Sequence, residues 1–379
     1  MRSHEQRRGD VAADPAISFQ PNTAKGLTMI LLQHQLFVDL EKGGKDAVLK
    51  SLQDALRLEH ATLPLYLYAY YSLDSSKNSV VAGHIWSVIM EEMLHMTLVC
   101  NIINALGGTP KINDPDLVPQ YPGHLPGGVQ DDLQVHLAPY SAEQLAAFLQ
   151  IEQPEHPLKF PEAFAAKEPP ETIGRFYREL KKQISALGDG AFVKPARNQV
   201  GSGVIDNAII VTDVMTARQA ICVIIEQGEG TNTDPGEVVG GGSGADSYAH
   251  YYRFMEISKG KTLMPNPNAP PDAPPDQKYF YDPKSPIPFD PSGVFQAPRN
   301  PKAADYPAGS PERAAMDDFN ATYSNLLNLL QQGFTGASMR PAINAMGELD
   351  TKASALMAGT AVPGSVLGPS FEYLPPKPA

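Results

Sequence analysis

A glutamate and a histidine three residues apart, Glu92 and His95, stand inside an apolar run with Ile85, Ile89, Leu94, Leu98, Val99 and Ile102 around them. At positions i and i+3 both side chains leave one face of a helix, about 5–6 Å apart. A carboxylate in apolar company must be paired, neutralised or bound to a metal. Any fold this segment enters therefore has to bring a partner to it. E-x-x-H pairs are common by chance, and the apolar setting is what gives this one weight.

The partner is expected from the preceding helix. Val48, Leu52, Ala55, Leu56, Leu58, Leu63 and Leu67 follow steps of three and four over residues 44–73, and Glu59 sits among them. A short polar turn, 74–78, leads to a second helix over 79–106 that stops at Gly107-Gly108 with Pro110 beyond. In an antiparallel hairpin, residues that are level with each other share a midpoint in the turn. The midpoint of Glu59 and Glu92 falls inside 74–78, so both acids are expected at one height.

A second hairpin shows the same arithmetic. A helix over about 213–228 carries Glu226, with Glu229 one turn beyond, and a helix over about 246–259 carries His250. The midpoint of Glu226 and His250 lies in the Gly-rich loop 228–245. Two hairpins with inward Glu and His, joined by a long crossover, match the metal-carboxylate four-helix bundle, in which two helices each give a Glu and two give E-x-x-H. The sequence departs from that pattern at Ser247, three residues before His250, where a Glu is required. Either Glu229 or Asp246 supplies the missing carboxylate, or the second metal position is weak or empty; an E-x-x-E on the third helix favours Glu229. The expected metal ligands are thus Glu59, Glu92, His95, Glu226, Glu229 and His250. The rival reading is a buried polar network without metal.

Several neighbours receive expectations of their own. Tyr66 shares the face of Glu59 and is the expected pocket wall; Arg253 is expected beside the site, paired with Glu256 either there or at the surface. Pro64 has no N–H for the carbonyl of His60 and is expected to kink its helix. Glu91 is expected in solvent, His60 and His84 at the surface or behind the ligands, and Cys222 as a small core residue. The crossover is expected to hold a helix capped by Ser141 and another over Thr172–Leu187. Fourteen prolines in residues 265–311 predict extended chain with no helix or central strand. Two further helices are expected over 311–332 and 338–357.

Composition narrows the function. The formal charge of −12 lacks the basic face that nucleic acid needs. No apolar run approaching the roughly 18–20 residues of a membrane span is expected, and no apolar segment follows the N-terminal arginines, so no secretory signal is expected. Cys100 and Cys222 are too few for a disulfide framework. The stretch VGGGSG lacks the G-K-[ST] ending of a phosphate loop, and no G-x-S-x-G or C-x-x-C is present.

Four stretches, LRLEHATLPLYLYAYYSL, EEMLHMTLVCNIINALGGTP, TARQAICVIIEQGEGT and SYAHYYRFMEI, resemble the ferritin-like domain of the iminophenyl-pyruvate dimer synthase type, found in violacein and rebeccamycin-like biosynthesis. The resemblance covers about residues 44–260. It implies a mainly α, ferritin-like four-helix bundle with additional helices in the crossover and the C-terminal region. Glu59, Glu92, His95, Glu226 and His250 match the family's inward polar positions. The organisation expected is an N-terminal arm (1–43), the bundle (44–260, with its crossover at about 108–211), a Pro-rich extended segment (261–311), and a C-terminal helical pair and tail (312–379) packed on the bundle. The function expected is a non-haem di-metal oxidase or oxygenase acting on a small molecule of secondary metabolism. It would hold two irons per chain, with manganese, zinc or copper as other acceptable metals. The alternatives are an iron-binding ferroxidase and a metal-free scaffold. Expected partners are a small-molecule substrate and O2, with a homo-oligomer allowed; the expected location is cytoplasmic. The named enzymes couple two imines and are much longer, so their coupling reaction is not implied here.

Overall fold

The computed structural model describes residues 40–126, 133–154, 157–158, 172–230, 235–236, 248–270 and 272–375. Most of the expected N-terminal arm, most of the Gly-rich loop, Asp246 and Ser247 lie outside the described residues.

The first hairpin is α1 (Lys45–Tyr71) and α2 (Ser75–Ala105). Asp74 caps α2 by accepting from the Ser76 N–H, and Asn78 breaks the helical geometry just inside that end, at φ −123°. The regular helix thus begins at the expected residue 79. Asn78 is diverted to the far end of the chain: its amide donates to the Asp290 and Gly293 carbonyls, and its Oδ1 accepts from the Asp290 N–H. Pro64 interrupts one hydrogen bond, but α1 continues through it for a further two turns. By length and apolar composition α2 could cross a membrane, contrary to expectation; 83% of its most apolar window is buried inside the protein.

The crossover contributes α3 (Ala142–Ile151), capped by Ser141, and α4 (Ile173–Leu187), capped by Thr172. The second half of the bundle is α5 (Val214–Glu229) and α6 (His250–Lys259). A reciprocal capping box between Asp213 and Thr216 fixes the start of α5. The α1–α2 hairpin packs on α5 and α6, with α4 beside α5 and α3 beside α6.

The Pro-rich stretch departs from its expectation. Strands β1 (Lys261–Pro265) and β2 (Tyr279–Pro286) pair as an antiparallel ribbon, and a short helix, α7 (Pro275–Lys278), sits between them. Both strands of a two-stranded ribbon are edges, so a proline can turn its missing N–H outward. Beyond the ribbon the expected extended chain is present. It is pinned to the bundle by Asp74 N–H to the Gly293 carbonyl, Phe295 N–H to the Ser72 carbonyl and Asn300 N–H to the Leu137 carbonyl. Helices α8 (Pro311–Phe334) and α9 (Arg340–Met357) then form a pair whose apolar faces join the same core as α1 and α2.

Candidate metal centre

Four of the expected residues converge inside the bundle: Glu59 from α1, Glu92 and His95 from α2, and His250 from the first turn of α6, all at most 4% exposed. A fifth, Glu152, was not anticipated. It is the residue that ends α3 in the crossover, and it is buried beside them. Glu59, Glu92 and His95 form one group able to hold a metal ion; Glu92, Glu152 and His250 form another. In each group the candidate ligand atoms lie within 4.8 Å of one another, near the ~4 Å span of ligands opposite each other across one ion.

The two imidazoles are held alike. His95 Nε2 is 2.9 Å from Gln227 Oε1, and His250 Nε2 is 2.9 Å from Glu91 Oε2. Both partner oxygens can only accept, so each Nε2 carries the proton. Each Nδ1 then faces carboxylate oxygens: His95 Nδ1 lies 3.5 Å from Glu59 and 3.7 Å from Glu92, and His250 Nδ1 lies 3.1 Å from Glu92 and 3.4 Å from Glu152. Among the described residues His250 Nδ1 is buried without a hydrogen-bond partner. Outer groups that fix the tautomer and turn one nitrogen inward are the usual support of a metal-bound histidine.

The carboxylates are oriented in the same way. Each has one oxygen held by a hydroxyl: Glu59 Oε1 by Tyr177, Glu92 Oε2 by Thr62 at 2.6 Å, and Glu152 Oε1 by Tyr66. The other oxygen of each is turned toward an imidazole. Tyr66 packs edge-on against Phe148 and Phe254, so its hydroxyl has little freedom to leave Glu152.

Three acids this close are under electrostatic pressure. Burial raises Glu59 to about 7, despite the hydrogen bond from Tyr177. Burial and then the charge of Glu152 raise Glu92 to about 7. Burial lowers His95. At His250 burial is the largest single effect and acts downward, but the carboxylates of Glu152, Glu91 and Glu92 together outweigh it and hold the imidazolium well above its usual range. Without metal, protons therefore occupy the space between these groups. A divalent cation satisfies the same lone pairs with more charge, and the three carboxylates and two inward nitrogens fit such an ion pair.

Glu226 and Glu229 belong elsewhere. Glu226 is half-buried and faces a cleft with Asp213, Arg218 and Cys222, away from the cluster. It is Gln227, turned by about 100° from it, that reaches His95. The midpoint argument failed because it assumed a tight hairpin, whereas some twenty residues separate α5 from α6. Glu229 receives the Gly174 N–H at 2.9 Å and pairs with Arg178 at 3.3 Å, so it caps the start of α4. A side chain at position 174 would collide with that carboxylate.

Other placements also differ from expectation. Glu91 is not solvated: it bonds His250 and pairs with Arg253 at 2.9 Å. Burial would raise it, but the hydrogen bond from His250 and the charge of Arg253 bring it down to about 2. Arg253 stands beside the site through Glu91, not through Glu256, whose carboxylate takes His84 and the Leu263 N–H instead. His60 is buried and bonded to the Tyr323 hydroxyl. Cys222 is half-buried rather than core, 3.4 Å from Lys181 Nζ.

A family model described as Ferritin-like matches residues 52–259. Dichlorochromopyrrolate synthase of Lentzea aerocolonigenes is 26% identical over an alignment that covers 88% of this chain; the chain spans 36% of that protein's length. The crystal structure of a ferritin-like protein from Caulobacter vibrioides superposes with a TM-score of 0.57 at 23% identity, covering 84% of this chain and 97% of that one. That likeness concerns the fold.

Proposed function

From a chain that belongs to the ferritin-like family, we propose an O2-dependent oxidoreductase that holds two irons between Glu59, Glu92, His95, Glu152 and His250 and acts on a small molecule. The observation that carries this reading is the pair of buried imidazoles, each tied from outside at Nε2 and turned inward at Nδ1 toward buried carboxylates. A mixed oxygen and nitrogen donor set of this kind suits iron, and bound iron would supply the redox electrons that O2 chemistry needs.

The chain's own residues do the rest. Glu92 stands between the two groups and can serve both. Tyr177, Thr62 and Tyr66 keep one oxygen of each carboxylate occupied, which aims the other oxygen inward. Glu91 and Arg253 form a neutralised pair behind His250, so that imidazole is supported without added net charge. The apolar packing of Tyr66, Phe148 and Phe254 keeps bulk water from the acids.

A small-molecule substrate is supported by the name of the Lentzea relative, a synthase. Because the chain spans about a third of that protein, its particular product is not carried over. The test is metal content after anaerobic Fe(II) loading and desalting, followed by O2 consumption with candidate substrates. Two irons per chain, lost in Glu92→Ala/His95→Ala while the fold persists, is the expected result. A wild type that stays metal-free and folded would leave a scaffold whose acids are satisfied by protons.

A further inference from the structure

The α1–α2 hairpin has a second buried face. The carboxylate cluster lies toward α5 and α6. Neighbouring positions on the same helices, His60 beside Glu59 and Met93 beside Glu92, turn by about 100° toward α8 and α9. Between the hairpin and that C-terminal pair is a cavity of about 120 Å³.

Its walls are almost wholly apolar. Leu63 and Met96 form part of the bundle side, and Leu326, Leu330 and Met339 part of the C-terminal side. Tyr71, Trp86, Tyr323, Phe334 and Phe371 place aromatic rings around it. Its buried polar pair is His60 Nε2 with the Tyr323 hydroxyl, 2.9 Å apart. Among the described residues no Lys or Arg lines it; the acidic side chain that does is Asp350.

We propose that this cavity is a binding site for a small, neutral, single-ring molecule, separate from the carboxylate cluster. Three arguments carry the proposal. Protein interiors pack nearly without voids, so an apolar space of this size is a feature to be explained; an apolar cavity of about 150 Å³ accepts benzene. The aromatic walls offer edge-to-face contacts that favour a ring over a flexible chain. An anion would lose its hydration with no cation to meet it and with Asp350 close by. A ring hydroxyl, in contrast, could join the His60–Tyr323 pair, since a tyrosine oxygen can accept a second hydrogen bond. Methionines 93, 96, 339 and 346 also line the space, and their unbranched side chains adapt to an occupant.

The proposal does not rest on the metal reading, and its test uses the full-length, metal-free protein. Fluorobenzene, phenol and benzoate are titrated by ligand-observed NMR and calorimetry. Expected are saturable one-to-one binding of fluorobenzene and phenol, and benzoate at least tenfold weaker. Leu330→Phe and Met346→Trp, which fill the space from the C-terminal side, should weaken fluorobenzene at least tenfold. Met346 is half-buried, so its variant decides the matter if Leu330→Phe does not fold. Tyr323→Phe should weaken phenol selectively. Glu92→Ala/His95→Ala should bind fluorobenzene as the wild type does. Non-saturable binding, binding unmoved by the filling variants, or benzoate binding as tightly as phenol would overturn the proposal.

Discussion

His95 and His250 lie face to face, with ring centroids 5.3 Å apart and planes within 24° of each other. Both turn Nδ1 to the same oxygen of Glu92, at 3.7 and 3.1 Å. One carboxylate is therefore common to two otherwise separate donor groups, Glu59 with His95 and Glu152 with His250.

Sharing predicts an unequal mutational pattern. Glu92→Ala should lose both metals, Glu59→Ala or Glu152→Ala one each, and Glu226→Ala neither. Elemental analysis after anaerobic Fe(II) loading reads this directly. Loss of metal in Glu226→Ala, or full metal in Glu152→Ala, would contradict the assignment.

The protons that stand in for metal should show in stability. Above pH 6.5 an unfolded glutamate is ionised, and an unfolded histidine goes from half protonated to neutral by about pH 7.5. The metal-free native state still holds protons there on Glu59 and Glu92, both raised to about 7 by burial, and on His250, where the carboxylates of Glu152, Glu91 and Glu92 together outweigh burial. The native state thus binds more protons than the unfolded one, and stability falls as pH rises. Glu91, brought down to about 2, adds no slope in this range, and His60 and His95, both lowered by burial, oppose the fall only up to about pH 7.5, where the unfolded imidazole loses its last proton. In chelator the Tm should drop by about 2–4 °C between pH 6.5 and 8.5. Saturating Mn(II) should flatten that slope, because the metal displaces those protons. A Tm that is flat or rising in chelator would contradict the picture.

The cap on α4 can be tested apart from metal. Gly174→Ala pushes a methyl into the Glu229 carboxylate, and Glu229→Gln removes its charge from the helix start beside Arg178. Each should destabilise by about 1–3 kcal/mol in urea unfolding. Metal content should not change, which separates this acid from those of the cluster.

Where the chain is local and periodic, its structure could be read in advance. Glu59, Glu92 and His95 sit on two long helices joined by a three-residue turn, so helical phase and hairpin height together determine their meeting. The Ser141 cap and the crossover helix ending at Leu187 were legible for the same reason. Glu152 was not, because it follows the last turn of a crossover helix and reaches the site only through the packing of α3 on α6. Glu226 was misplaced by one position: with a long loop before α6, nothing in the sequence sets the rotation of α5, and that rotation selects Gln227 instead. Glu91 was assigned to solvent because its partners, His250 and Arg253, arrive from α6. The ribbon at 261–286 was hidden because its register pairs residues across a proline-rich loop.

The outer partners of the two histidines differ in kind, a carboxylate against an amide, and this should make the two metal positions unequal. A carboxylate, Glu91, accepts from His250 Nε2, whereas an amide, Gln227, accepts from His95 Nε2, both at 2.9 Å. A carboxylate makes the opposite ring nitrogen the stronger donor, and partners of this kind typically change metal affinity about 10–100-fold. The His250 position should therefore fill first. Stepwise Mn(II) titration followed by calorimetry should show two affinities in the wild type. Gln227→Glu should strengthen the weaker step, and Glu91→Gln should weaken the tighter one, each by about tenfold or more. Because Glu91 also pairs with Arg253, Glu91→Gln leaves that guanidinium half-served; Gln227→Glu has no such side effect and is the cleaner arm. Two indistinguishable sites in the wild type, or a Gln227→Glu variant with both affinities unchanged, would show that the outer partners do not set the order.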